Sequence, residues 1–159
     1  MVSVTHGNIV EQKKEAVCNS IGPDVRNGFH GAIGKSIVGE CGEAIIDECY
    51  EETKKVYGTE GIMKEGQFVT TGAGDSDTFK NIIHCVCPSS VEENADEILT
   101  NLVYQVLMFC NKSMVESFAT PPMSSGILGF TFERCARCFF TCPLYTSDAP
   151  TEMQCVVLV

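Results

Sequence analysis

Apolar positions over residues 95–111 recur every three or four places, at Ala95, Ile98, Leu99, Leu102, Val103, Val106, Leu107 and Cys110. That period predicts an amphipathic helix. Glu92, Glu93, Asp96 and Glu97 crowd its first turns, where the positive end of the helix dipole favours carboxylates. Elsewhere apolar residues come in short runs that predict buried strands: Ala16-Val17-Cys18-Asn19, Gln67-Phe68-Val69-Thr70-Thr71, residues 81–87 closed by Pro88, and Ser117-Phe118-Ala119. Residues 31–41 and 43–57 predict two more helices broken at Gly42, and residues 131–138 a last one. The chain opens and closes on strand-like runs, the second being Gln154-Cys155-Val156-Val157-Leu158-Val159. With no polar tail at either end, residues 1–159 read as one domain cut from a longer protein. Strands alternating with helices predict an α/β sandwich with helices on both faces of the sheet. Ligands of such sheets sit outside the carboxyl ends of the strands.

With 159 residues, 44% of them hydrophobic, the chain can bury a full core. A formal net charge of -10 argues against general nucleic-acid binding, because a phosphate backbone would be repelled. It leaves room for a small phosphorylated ligand, since backbone amides alone can hold a pyrophosphate. Ten cysteines would suit a disulfide framework in a secreted chain. Yet Met1-Val2-Ser3-Val4-Thr5-His6 has neither the basic segment nor the apolar stretch of a signal peptide, and no apolar run is long enough to cross a bilayer. The expectation is an intracellular protein, cytoplasmic or nuclear, with no membrane partner and with reduced thiols packed as small hydrophobes. Two spacings invite a metal: Cys135-x-x-Cys138 with Cys142 on the predicted last helix, and His84-Cys85-Val86-Cys87 on a predicted strand. Zinc sites usually use paired cysteines on turns, so both are read as buried structural thiols and no metal is expected.

The chemistry-bearing stretch is Ser124-Ser125-Gly126-Ile127-Leu128-Gly129-Phe130, which follows a strand and precedes a helix. Such a loop points backbone N–H groups inward, lacks Cβ atoms where an anion must approach, and adds the helix dipole. A second loop of the same kind follows Asn19 and runs through Gly22, Gly28, Phe29, His30 and Gly31 into residues 32–34. Two such loops can face each other across a diphosphate.

At these residues the chain resembles the macro domain family. The matching segments are Gly7-Asn8-Ile9, Val17-Cys18-Asn19-Ser20 with residues 28–33, Thr71-Gly72-Ala73-Gly74, Ile82-Ile83-His84, and residues 124–130, in the family's order. They are most similar to macro modules found in tandem inside large ADP-ribosyltransferases. The resemblance implies a three-layer α/β/α sandwich, with a mixed, mostly parallel sheet of about six strands, and a cleft for ADP-ribose bound without a cofactor. Ser124, Ser125, Gly126, Ile127, Leu128 and Gly129 would form the diphosphate loop, with Phe130 packed near the cleft. Gly28, Phe29, His30 and Gly31 would form the opposite side. Asn8 would read the adenine amino group, followed by Ile9, and Asn19 would touch the ligand or pin the first loop. Four positions depart from the family: Asn8 stands for Asp, Gly22 for a ribose-holding Asn, His30 for the Asp of hydrolytic members, and Leu128 for an aromatic residue. The first loop also lacks the usual glycine triplet.

Plainer readings stand beside these. Asn8 also suits a turn, His30 a helix start, and His84 a hydrogen-bonded strand histidine. The expected function is a reader of ADP-ribose, free or on mono-ADP-ribosylated proteins. The alternatives are a macro fold serving as a protein-interaction scaffold without ADP-ribose affinity, and an ADP-ribosyl hydrolase. The last ranks below because Gly22 and His30 replace the usual catalytic Asn and Asp.

Overall fold

A computed structural model describes residues 2–142 and 154–158. Its sheet has six strands, β1 (Val2–Thr5), β2 (Ala16–Ser20), β3 (Phe68–Gly72), β4 (Asn81–Cys85), β5 (Ser117–Thr120) and β6 (Gln154–Leu158), in the order β1-β6-β5-β2-β4-β3. Neighbours run parallel except β3, which is antiparallel to β4. Four α-helices are α1 (Ala32–Cys41), α2 (Ala44–Tyr57), α3 (Ala95–Lys112) and α4 (Phe132–Phe140).

The central strand β2 shows why both faces must be covered. Ala16 and Cys18 point into one buried cluster, and Val17 into the other. The first cluster lies under α3 and α4, and the second under α1 and α2. This is the three-layer arrangement read from the alternation of elements. Of the apolar positions predicted on α3, Ala95, Leu99, Leu102, Val103, Val106, Leu107 and Cys110 are buried. Each large side chain among them contributes about 1.5–3 kcal/mol.

Most element boundaries shift by a residue or so from the sequence reading, and two of the differences concern cysteines. β4 stops at Cys85 rather than residue 87, because the chain turns off β2 there and Val86 bonds instead to Gln67 and Gly66. α4 ends at Phe140, so Cys142 lies past the helix rather than on it. Val159 lies outside the described residues. Among the described residues no helix is long and apolar enough to cross a membrane.

Candidate functional site

β2 and β5 are parallel neighbours, so the loops that follow them leave the same edge of the sheet. The first loop closes on itself through Gly22 N–H to Gly28 O at 3.1 Å. A Cβ on Gly28 would come within 2.8 Å of the Gly22 nitrogen, which leaves no space for a side chain. Asp24 caps the short turn Val25–Asn27 by accepting from Arg26 N–H at 3.2 Å. A strap from residues 61–63 braces it, with Val25 N–H on Gly61 O and Met63 N–H on Pro23 O, both 2.9 Å. Arg26, the one Arg or Lys in residues 20–31, is turned toward α2. It lies 4.0 Å over the Tyr50 ring and pairs with Asp47 at 2.8 Å.

Past Gly28 the backbone enters α1. No hydrogen bond among the described residues takes up the N–H of Phe29, His30, Gly31, Ala32, Ile33 or Gly34. The helix can start this close to the turn only because residue 34 is Gly: a Cβ there would lie 2.7 Å from Phe29 O.

The second loop follows β5. Ser124 and Gly126 take left-handed φ values of 65° and 72°, and Gly129 takes 86°. Phe130 N–H closes the loop on Ser124 O at 2.9 Å, and Gly129 N–H bonds Gly126 O at 3.0 Å. The N–H groups of Gly126, Ile127 and Leu128 find no acceptor among the described residues. Ile127 is fully exposed at the tip, and a Cβ on Gly126 would meet nothing within 4 Å. Residues 121–131 hold no Lys or Arg. Below the loop, burial pushes the Cys87 thiol up to about 11, against hydrogen bonds with Ser20 and the Ser124 main chain that pull it down.

The remaining candidates take varied places. Asn8 caps the short turn Ile9–Glu11 by accepting from Val10 N–H at 3.3 Å, which is the turn reading of that residue. The Ile9 side chain is buried, so only its main chain can face a ligand. Phe29 is buried as well, with its ring 5.3 Å from that of His84. His30 is exposed and Leu128 half-buried. Phe130 belongs to the core beneath the second loop.

Asn19 is fully buried. Its amide nitrogen donates to His84 Nδ1 at 3.1 Å, and His84 Nε2 donates to Thr71 Oγ1 at 2.9 Å. The Thr71 hydroxyl in turn donates to Gly72 O at 2.8 Å. Burial holds the His84 imidazole far below its ordinary range, at about 3, so it stays neutral. Asn19 thus pins the root of the first loop to β4.

All ten cysteines are buried. Among the described residues no three His, Cys, Asp or Glu side chains gather as metal ligands. Sequence reasoning missed Ser90, whose N–H donates to Leu128 O, and Arg134, which bonds Ser90 and Asp96 and stands over the Phe130 ring.

A model of the macro domain family matches residues 15–139. The chain belongs to the macro domain family. A macro domain-containing protein of Caldanaerobacter subterraneus subsp. tengcongensis is 31% identical over 138 residues, covering 86% of this chain and 75% of that protein. The Oceanobacillus iheyensis macrodomain with ADP superposes with a TM-score of 0.83 at 18% identity, over 99% of this chain and 82% of that one. The Trypanosoma brucei macrodomain in complex with ADP-ribose gives 0.78 at 18% identity, over 99% and 63%. Of the macro domain segments read in the sequence, residues 7–9, 17–20 with 28–33, and 124–130 fall at the strand ends that carry the two loops. The His84 strand lies beneath them, and residues 71–74, at the end of the antiparallel β3, lie at the opposite end of the sheet, level with the start of β2.

Proposed function

We propose that this macro domain is an ADP-ribose-binding module, taking the ligand free or as a terminal mark on a mono-ADP-ribosylated protein. One observation carries the reading: two loops on the same sheet edge present main-chain N–H groups, from residues 29–34 and 126–128, that find no acceptor among the described residues, with Arg26 turned away. Such groups favour an anion without the desolvation of a Lys or Arg. The structural relatives carrying ADP and ADP-ribose supply the ligand class. Ser125, Gly126, Ile127 and Gly129 frame one side of the diphosphate, and residues 28–31 the other. Asn8, whose Oδ1 keeps a lone pair beyond its cap on Val10 N–H, would accept from the adenine amino group.

Calorimetry with ADP-ribose tests this. A micromolar dissociation constant, about -8 kcal/mol, is expected, and Gly126→Glu should abolish it. Glu cannot adopt φ 72° without strain, and it sets a negative charge where the phosphates approach. No heat at millimolar ligand would leave the scaffold reading.

Hydrolysis is the second reading. A relative named O-acetyl-ADP-ribose deacetylase 1, from Pantoea vagans, is 27% identical over 137 residues, 85% of this chain and 76% of that protein. Against it, Gly22 has no side chain to hold a ribose, and no described residue orients His30. Release of label from a mono-ADP-ribosylated protein, lost in His30→Ala, would reverse the ranking.

A further inference from the structure

Arg134 makes more ties across this edge of the molecule than any role on its own helix requires. Its Nε donates to Asp96 Oδ1 at 2.5 Å, in the first turn of α3, and its Nη1 donates to Ser90 O at 3.3 Å. Its guanidinium carbon stands 3.9 Å over the centre of the Phe130 ring. The held segments in turn grip the second loop. Ser90 N–H donates to Leu128 O at 2.7 Å, and the Ser90 hydroxyl fills the place a Cβ on Gly129 would take, 2.5 Å away.

We propose that Arg134 is a positioning residue for the diphosphate loop. It fixes the 88–91 segment and Phe130 together, so that Leu128 and Gly129 are held from behind while the N–H groups of Gly126, Ile127 and Leu128 face outward. The inference rests on the ADP-ribose reading above. The physical basis is preorganisation: a loop carrying left-handed residues at 124, 126 and 129 has other conformations open to it, and ordering it at the moment of binding costs affinity. The planar guanidinium is needed because one group must stack on a ring and donate in two directions at once, which an ammonium cannot do.

The test compares the full chain with Arg134→Met, Arg134→Lys and Asp96→Asn, titrated with ADP-ribose, ADP and adenosine. Arg134→Met and Arg134→Lys should weaken ADP-ribose and ADP about five- to tenfold and leave adenosine unchanged. Asp96→Asn should give a smaller loss of the same pattern. Equal losses for all three ligands, or rescue by Lys, would mean a merely structural charge and would overturn the proposal. Hydrogen exchange of the Gly129 and Phe130 amides, both bonded within the loop, should quicken in Arg134→Met without a matching change in α1. Unchanged exchange overturns the clamp whether or not ligand binds. Failure of the wild-type chain to bind ADP-ribose overturns the reading of the site instead.

Discussion

His84 is a strand histidine whose protonation the interior forbids. Both ring nitrogens are used in the neutral form, one accepting from Asn19 and one donating to Thr71. Burial carries its pKa from 6.5 down to about 3. The folded state therefore refuses a proton that the unfolded chain takes up below 6.5, and acid favours unfolding. From this residue alone, stability present above pH 6.5 should fall by about 1.4 kcal/mol per pH unit down to about pH 3, and no further below it. Urea titrations across that window, with His84→Gln as the reference, check it. An identical slope in both proteins would remove the buried neutral histidine. The sequence placed His84 in an apolar strand. Its partners Asn19 and Thr71 lie 65 and 13 residues away, and only the sheet order brings them together.

At the scale of the element, α1 carries two glycines with opposite consequences. Gly34 lies against the Phe29 main chain, where a Cβ would stand 2.7 Å from the carbonyl oxygen. Gly39 is exposed on the same helix with nothing within 4 Å. Gly34→Ala should cost about 1–3 kcal/mol by levering the helix off its own turn, and should weaken ADP-ribose binding. Gly39→Ala should stabilise by about 0.5–1 kcal/mol through helix propensity. Urea midpoints at constant m-value measure both, and equal signs would refute the packing at Gly34. The helix itself was legible from residues 31–41, but nothing in the local pattern separates the two glycines, because the contact is with a turn that the helix does not contain.

Over the whole molecule, the proposed recognition of ADP-ribose and the net charge would oppose each other. The protein carries -10 overall, and on the reading proposed above its two loops would meet a diphosphate with main-chain N–H groups and without a Lys or Arg in residues 28–34 or 124–130. Phosphate sites built from Lys and Arg lose affinity as salt screens them. Here salt screens mainly the repulsion between an anionic protein and an anionic ligand. Raising ionic strength about tenfold should leave ADP-ribose affinity flat or strengthen it by about twofold. A steep loss in calorimetry would show that cationic side chains hold the phosphates.

Sequence by itself determined what depends on neighbours along the chain: the apolar period of α3, the buried run of β2, the break at Gly42 and the order of the family's motifs. It also determined the acidic balance and the absence of Lys and Arg from the second loop. Tertiary structure decided what depends on distant segments meeting. The Asn19–His84–Thr71 chain, the turning of Arg26 onto Tyr50, and the grip of Arg134 on Ser90, Asp96 and Phe130 each join separate elements. Local pattern records which face of an element is apolar, whereas hydrogen bonds and ring contacts of this kind arise only once the sheet order has set those elements side by side.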